Sequence, residues 1–172
     1  IAGMRRWHLS MKNHAAYLRY VLRHKWFVFL ACRQLHVSLW QAMAHDWSKF
    51  TRGEWSPYVH QFYNPDGSKR SKRDATGAYD PNKQVQEFAR AWLHHQRNKH
   101  HWQAWVSIGD NGNLLPLSIP ERYVREMIAD WKGAGRAITG TDDATEWYAK
   151  NKKNMILHDD TRRLIESLLD IP

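Results

Sequence analysis

The chain has a single cysteine, Cys32, so no disulfide can form within it. Cys32 falls inside an apolar helical pattern, and we expect a buried thiol with a structural role. Long hydrophobic runs are also missing, because the longest, residues 26–32, is far shorter than the roughly 20 residues that cross a bilayer. No signal-peptide pattern opens the sequence. These absences argue against a disulfide-stabilised or membrane-spanning protein and predict a soluble protein in a reducing cytoplasm.

Strict alternation of apolar and polar residues, which is typical of a half-buried strand, is absent, and there is no internal repeat. Apolar residues recur instead at three- and four-residue steps, which predicts an all-α, compact single-domain bundle of about six to seven helices over residues 1–172. Residues 1–3 resemble the remnant of an expression tag, and residues 64–80 are expected to form an exposed basic loop. Capping residues, prolines and glycines place the helices at about 10–35, 38–50, 51–63, 80–105, 120–132, 143–154 and 161–169.

Acidic residues are scarce relative to basic ones, since 17 Asp and Glu stand against 26 Lys and Arg and give a net charge of +9. This balance favours polyanionic partners, which include nucleotides, nucleic acid and anionic surfaces. The run 69–73 holds four of the basic residues in a stretch without apolar periodicity. We therefore assign part of the excess charge to one solvated loop.

An adjacent pair, His45 and Asp46, is followed by Lys49 on a predicted short amphipathic helix. The side chains of neighbouring residues point about 100° apart around a helix axis, so the long imidazole and the short carboxylate can bind one metal ion from two sides. Lys49 lies one turn after Asp46 on the same side, where it can meet a phosphate bound to that ion. A second pair, His158 and Asp159, has no lysine at the matching distance, and we assign it to a helix cap.

Two further residues complete a candidate set of ligands. His24 lies on the predicted core face of the first helix, and an antiparallel return of the chain would bring it beside His45. Asp130 stands among residues typical of a core. Burying its negative charge there is energetically unfavourable unless a cation or hydrogen-bond donors compensate the charge. Imidazole and carboxylate ligands together favour Mn²⁺, Fe²⁺, Co²⁺, Ni²⁺ or Zn²⁺ over Ca²⁺ and Mg²⁺. The sequence therefore predicts a divalent metal site formed by His24, His45, Asp46 and Asp130.

Histidines cluster a second time within residues 94–101. On a continuous helix His94, Asn98 and His101 share one stripe, which could hold a second metal ion. Together with Arg97, these side chains could instead donate to phosphate oxygens. His95 falls on a neighbouring stripe, where we expect it to be packed.

A His, a later His-Asp pair followed by Lys, and a distal Asp together form a pattern that resembles the HD superfamily of metal-dependent phosphohydrolases. The chain is also similar to an uncharacterised family of phages and bacteria, through segments spread over most of its length: 24–28, 45–50 with 54, 94–102, 126–127 with 130–132, and 147–148 with 151. The resemblance implies an α-helical fold with one or two metal ions at its centre. It also implies hydrolysis of phosphomonoesters, phosphodiesters or nucleoside triphosphates, in the cytoplasm of a bacterial host if a phage encodes the protein.

Two departures from the superfamily pattern keep alternatives open. Trp47 and Ser48 stand where glycine is common before the lysine, and the histidine pairs at 94–95 and 100–101 lie unusually close together, so the number of metal ions is not fixed. Some superfamily members with extra histidines hold two irons and oxidise substrates with dioxygen, which makes a di-iron oxygenase one alternative. Another is a nucleic-acid or nucleotide-binding protein with a structural metal, whose tryptophans stack on bases. In the simplest alternative, the histidines and tryptophans only pack a helical core.

For a hydrolase we expect the metal ion to acidify a bound water that attacks phosphorus, with Asp46 orienting this water. We expect Lys49, together with Arg97 or the histidines of 94–101, to stabilise negative charge on the phosphoryl oxygens. We expect Glu54 to contact the metal ligands and hold them in position without binding the ion itself. The expected substrate is a small phosphorylated molecule, in the first place a nucleotide. Asp46 and Lys49 are thus the predicted catalytic residues, and the oligomeric state is left open.

Overall fold

The computed structural model describes residues 11–70 and 86–171. Helices dominate these residues, which confirms the predicted all-α class. The regular strands of this part are confined to one antiparallel hairpin, in which β1, Val106–Ile108, pairs with β2, Leu114–Pro116. The α-helices of this part are α1 Met11–Gln34, α2 Leu39–Ala44, α3 Arg52–Phe62, α4 Gln86–His95, α5 Glu121–Ile138, α6 Ala144–Asn151 and α7 Asp159–Leu168.

Some predictions fall outside the described residues. These are the tag remnant at 1–3, the helix start near 80, and the part of the predicted loop after residue 70. Residues 65–69 of that loop are exposed, as predicted, and they form a tight turn in which Gly67 has a φ of +90°. A positive φ of this kind is readily adopted by glycine because it has no Cβ.

Contacts within the chain group it into two compact units. The first unit consists of Ile1–Val21 and Trp47–His95, and the second of Leu22–Asp46 and Gln96–Pro172. Helix α1 therefore contributes its first part to one unit and its remainder to the other. The assignment of all 172 residues to a single domain stays a prediction.

Aromatic side chains form the core of the first unit, where α3 and α4 pack with the beginning of α1. Its buried aromatic members are Tyr17 of α1, Tyr58 and Phe62 of α3, Tyr63 directly after α3, and Phe88 of α4. Tyr58 meets the rings of Phe62 and Phe88 edge-on, with ring centroids 5.6 Å and 5.0 Å apart. This edge-to-face arrangement is the one that aromatic quadrupoles prefer.

The helix predicted over residues 80–105 is shorter in the structure, because α4 ends at His95. Residues 96–100 form turns instead. No apolar residue occurs between Leu93 and Trp102, so this stretch offers no apolar face whose packing would stabilise further helical turns. The predicted helical stripe of His94, Asn98 and His101 is therefore wrong.

The core of the second unit has two parts. In one, Val124, Met127 and Ile128 of α5 pack with Tyr148 of α6 and Ile165 of α7. In the other, the end of α1 packs with the start of α2 and with α5, through Val28, Ala31, Cys32, Val37, Ala42 and Ala129. Cys32 is fully buried, as predicted.

Helices α1 and α5 approach each other most closely at Gly133. A Cβ at this position would lie 2.3 Å from Cγ2 and 2.6 Å from the backbone nitrogen of Val28, so only glycine fits. The sequence predicts that Gly133 and Gly135 end the fifth helix, but α5 continues to Ile138. Gly133 serves close packing within the helix, while Gly140, with a φ of +89°, follows its end.

The helix predicted over 38–50 is also divided. Helix α2 ends at Ala44, and Asp46 adopts the left-handed conformation with a φ of +55° before a separate 3₁₀ turn, Trp47–Phe50. Aspartate tolerates this conformation better than most side chains, and its adoption ends the helix. The idea that His45, Asp46 and Lys49 share one continuous helix is therefore wrong.

The helix cap predicted for His158 and Asp159 is confirmed. His158 is the N-cap residue of α7, and its Nδ1 accepts a hydrogen bond of 3.2 Å from the backbone N–H of Asp160. None of the described helices has both the length and the apolar character required to cross a membrane.

Candidate metal centre

Two histidines and two aspartates converge in the second unit from three separate helices. His24 lies on α1, His45 is the C-cap residue of α2, Asp46 follows it, and Asp130 lies on α5. The first three are buried, and the side chain of Asp130 is 16% exposed. Each of the four offers one nitrogen or oxygen atom, and these atoms all lie within 4.8 Å of one another.

The separations between these atoms are short and nearly equal. His24 Nε2 lies 3.1 Å from both Asp46 Oδ2 and Asp130 Oδ1. His45 Nε2 lies 3.5 Å and 3.3 Å from the same two oxygens. Atoms that bind one ion at about 2.1 Å lie about 3.0 Å apart at right angles and about 3.4 Å apart in a tetrahedron. The four separations therefore match the spacing of ligands around a single cation.

The left-handed turn at Asp46 explains how two adjacent residues face the same point. Ending the helix at Ala44 leaves carbonyl groups without partners inside the helix. The ammonium group of Lys25, on α1, donates to two of these carbonyls, those of Met43 at 3.2 Å and of His45. Lys25 directly follows His24 on α1. Its two hydrogen bonds therefore stabilise the end of α2, beside His45 and Asp46, and hold it against α1.

The orientation of His45 is set by a carboxylate behind it. His45 Nδ1 lies 3.0 Å from Glu126 Oε1, and because an ionised carboxylate only accepts, Nδ1 carries the proton. The other oxygen of Glu126 accepts a 2.5 Å hydrogen bond from the amide of Gln41. This arrangement directs the lone pair of His45 Nε2 towards Asp46 and Asp130, as is usual for histidines that bind metals.

His100 is the member of the second histidine cluster that contacts this group. It is buried, with its Nε2 3.4 Å from Asp46 Oδ1 and its Nδ1 3.3 Å from Glu126 Oε1. Its ring centroid lies 4.4 Å from those of His45 and His101. His45, His100 and Glu126 could form a second, smaller group of ligands.

The sequence includes His100 only as one of the histidines of 94–101 and does not identify Glu126 as a site residue. A continuous helix would align His94, Asn98 and His101 and would leave His100 outside their stripe. Glu126 was detectable, since it lies four residues before Asp130 on α5 and the two carboxylates therefore share one helix face.

Burial and mutual contacts shift the pKa values of this cluster. Burial disfavours the charged form of His100, but hydrogen bonds to Asp46 and Glu126 outweigh it and raise the pKa of His100 to about 10. Burial likewise opposes ionisation of Glu126, yet hydrogen bonds from His100 and His45 lower its pKa to about 2. Burial also opposes ionisation of Asp130, but its contacts with His24 and His45 hold its pKa well below the usual value. The cluster thus favours ionised carboxylates, the form that binds cations.

Cys32 does not belong to any of the groups of side chains in the described residues whose ligand atoms lie within 4.8 Å of one another. Burial and the negative charges of Glu126 and Asp130 raise the pKa of its thiol to about 12. A thiol with this pKa stays protonated at neutral pH in the metal-free protein.

The remaining predicted site residues lie on the 3₁₀ turn, on α3, and at or after the end of α4. Lys49 is buried on the 3₁₀ turn of the first unit. Glu54, also of the first unit, is fully buried, with its two oxygens 2.8 Å from His94 Nδ1 and 3.0 Å from His95 Nδ1. The imidazole of His94 is 66% exposed. Arg97 is exposed and Asn98 half-buried in the turns that follow α4.

The chemistry of the donor set fits a divalent transition metal. Two imidazole nitrogens and two carboxylate oxygens are borderline and hard donors, which suit Mn²⁺, Fe²⁺, Co²⁺, Ni²⁺ and Zn²⁺. Carboxylates that are buried this close to one another need a compensating positive charge, which either protonated histidines or a cation can supply. These residues could therefore hold a metal ion.

Comparison with known proteins gives a family but no activity. Neither the curated proteins nor the solved structures contain a match. One family model matches residues 13–171, which include all of the candidate ligands, and its description is a family of unknown function. The chain therefore belongs to this family of unknown function, DUF5662.

Proposed function

We propose that this protein is a metal-dependent hydrolase of phosphate esters, with His24, His45, Asp46 and Asp130 as the ligands of one divalent ion. The observation that supports the proposal is the set of four nitrogen–oxygen separations between 3.1 Å and 3.5 Å in a buried cluster. The order of these residues along the chain, together with Lys49, is the order found in the HD superfamily.

A divalent ion at this site would supply Lewis acidity, which lowers the pKa of water and polarises a phosphoryl oxygen. The protein's own groups would then position the reactants. Asp46 presents Oδ2 to His24 and His45, and its Oδ1, on the His100 side, is suited to accept a proton from the attacking water. His100 in its imidazolium form would stabilise negative charge on the phosphoryl group.

The arrangement around His45 assigns its Nε2 to the larger group of candidate ligands. His45 directs Nε2 towards the aspartates and uses Nδ1 to contact Glu126, so it cannot serve the smaller group with the same nitrogen. Glu126 and His100 therefore act in our proposal as partners of the ligands. The roles of Lys49 and Arg97 on phosphate oxygens stay predictions.

A hydrolysis assay on metal-depleted and reloaded protein tests the proposal. The protein is stripped with a chelator, reloaded with Mn²⁺, Co²⁺ or Ni²⁺, and incubated with p-nitrophenyl phosphate, bis(p-nitrophenyl) phosphate and nucleoside triphosphates. We expect turnover of at least one ester that depends on the metal and falls about a hundredfold or more in D46N and H24Q.

The second His-Asp pair of the chain provides the matched control. D159N changes an exposed carboxylate of the α7 cap and should retain both metal and turnover. The proposal is wrong if D46N keeps full activity without bound metal. It is also wrong if iron-loaded protein consumes oxygen while no preparation releases phosphate, a result that would favour the di-iron oxygenase.

A further inference from the structure

A second cluster of titratable side chains lies in the first unit, around Glu54 of α3. This carboxylate is fully buried, and each of its two oxygens faces a histidine in the last turn of α4. Oε1 lies 2.8 Å from Nδ1 of His94, and Oε2 lies 3.0 Å from Nδ1 of His95. Burial opposes ionisation of Glu54, but hydrogen bonds from both histidines and from Ser48 lower its pKa. Glu54 is therefore an ionised carboxylate inside the first unit.

The two histidines that share Glu54 differ in exposure. His95 is 2% exposed, whereas the side chain of His94 is 66% exposed. An ionised carboxylate only accepts hydrogen bonds, so Nδ1 of His94 carries a proton, and Nε2 of the neutral ring holds a lone pair. The part of the ring away from Glu54, which includes Nε2, forms its exposed side. A histidine nitrogen that carries a lone pair and meets solvent can act as a nucleophile.

His158 provides a comparison within the same chain. Its side chain is also exposed, to 41%, but its Nδ1 accepts a hydrogen bond from the backbone N–H of Asp160. Nε2 of the neutral His158 ring therefore carries the proton, and the lone pair on Nδ1 is engaged in the helix cap. These two exposed histidines thus hold opposite tautomers, and His94 is the one of the pair that presents a lone pair to solvent.

The surroundings of His94 favour a phosphoryl group as its reaction partner. Among the described residues, the groups of side chains that could hold a metal ion do not include His94. Arg90 lies four residues before it on α4, and both side chains are exposed on the same face of the helix. Phosphoryl transfer depends on positioning and on positive charge near the phosphoryl oxygens, and a guanidinium group is well suited to bind these oxygens.

We propose that Nε2 of His94 accepts a phosphoryl group from a small donor of the phosphoramidate or acyl phosphate class. The lone pair of Nε2 attacks phosphorus and forms a nitrogen–phosphorus bond. The bond from phosphorus to the donor's nitrogen or oxygen breaks, and ammonia or a carboxylate leaves. The imidazole ring of the product is positively charged, because Nδ1 keeps its proton, and the carboxylate of Glu54 at 2.8 Å neutralises this charge. The step uses no metal ion, so it does not depend on the proposed function.

Incubation of the protein with potassium phosphoramidate in the presence of a chelator tests the proposal. We expect the protein mass to increase by one phosphoryl group, which acid removes and base retains, as is typical of phosphohistidine. Peptide mapping should place the group on His94. The variant H94Q should lose the modification, whereas the matched control H158Q, which removes the exposed histidine of opposite tautomer, should keep it. Circular dichroism verifies that both variants are folded.

The variant E54Q tests the role of the carboxylate, because it removes the charge and keeps the size of the buried side chain. We expect E54Q to accept the phosphoryl group about tenfold or more slowly than wild type. If E54Q does not fold, nitrogen NMR spectra of the histidine rings in wild-type protein replace it. They should show the proton of His94 on Nδ1 and that of His158 on Nε2.

Four results would overturn the inference. The first two are that no acid-labile modification forms, or that the phosphoryl group maps to a residue other than His94. The third is that folded E54Q reacts as fast as wild type, and the fourth is that the neutral ring of His94 carries its proton on Nε2.

Discussion

His45 presents its two ring nitrogens to different partners, and this division defines the site at the residue scale. Nδ1 contacts Glu126 at 3.0 Å, while Nε2 lies 3.3 Å from Asp130 and 3.5 Å from Asp46. A carboxylate behind a ligand histidine fixes its tautomer and raises its basicity, so a residue that touches no metal can still control metal affinity.

Glu126→Ala should therefore weaken binding of Co²⁺ or Zn²⁺ about 10- to 100-fold while the protein stays helical. Titration of metal-depleted protein in competition with a chromophoric chelator measures the affinity. Glu121→Ala removes an exposed carboxylate from the first turn of the same helix and serves as the control. Equal affinities in the two variants would show that Glu126 does not orient His45.

His100 gives the metal-free protein a distinct pH dependence. Its pKa is about 10 in the folded state against 6.5 for an unperturbed histidine. A raised pKa stabilises the fold fully below the unfolded value, and this contribution is lost as the pH rises from about 6.5 to about 10. In the presence of a chelator, the free energy of unfolding measured with urea should decline over this range.

The variant His100→Gln should show a flatter decline, whereas His158→Gln, at the exposed cap of α7, should follow wild type. Glu126 affects the stability of the fold at acidic pH instead. The pKa of Glu126 is lowered to about 2, so its stabilisation is present above about 4.5 and is lost as the pH falls towards 2. An alkaline decline that is unchanged in His100→Gln would contradict the assignment of His100.

At the scale of helices, the approach of α1 to α5 sets the distance between His24 and Asp130. Gly133 lies three residues after Asp130 and Val28 four residues after His24, so the close contact is one turn from the ligands on both helices. A side chain at 133 would separate the helices where the candidate ligands converge.

Gly133→Ala should therefore destabilise the protein by about 1–3 kcal/mol through overpacking and weaken metal binding at the same time. Urea unfolding and metal titration measure the two effects. Gly53→Ala, on α3, is the matched control, because its nearest side-chain atom would be 3.9 Å from the new Cβ. We expect this control to gain about 0.4–1 kcal/mol by reducing the entropy of the unfolded chain. Unchanged metal affinity in Gly133→Ala would contradict the coupling of helix approach to the site.

Helix positions are more predictable from this sequence than helix ends. Apolar periodicity located the helices correctly, since each predicted helix overlaps an observed one, but helix ends depend on packing that periodicity does not encode. Gly133 lies within α5 because Val28 requires the space, and the helix over residues 38–50 is divided because Asp46 adopts a left-handed turn. The helix cap at His158 was predictable, because its hydrogen-bond partner, Asp160, lies two residues away in the sequence.

At the scale of the whole molecule, the candidate ligands come from distant parts of the chain and meet within one of its two units. Spacing and the resemblance to the HD superfamily predicted that His24, His45, Asp46 and Asp130 would converge. The contributions of His100 and Glu126 required the fold, because they depend on where α4 ends and on which face α5 presents.

A ligand set of this kind links metal binding to global stability, because the unfolded chain cannot hold the four groups together. Mn²⁺, Co²⁺ or Zn²⁺ at about a hundred times its dissociation constant should raise the thermal unfolding midpoint by about 5–10 °C. Differential scanning fluorimetry measures this shift. D46N should lose it and D159N should keep it, whereas an equal shift in both would assign the stabilisation to another site.

The most direct test of the central claim is an anomalous difference map from crystals of metal-depleted protein soaked in Mn²⁺. We predict one strong peak at about 2.2 Å from His24 Nε2, His45 Nε2, Asp46 Oδ2 and Asp130 Oδ1. A map with no peak among these four atoms, or with its peak bound by other residues, would contradict the account.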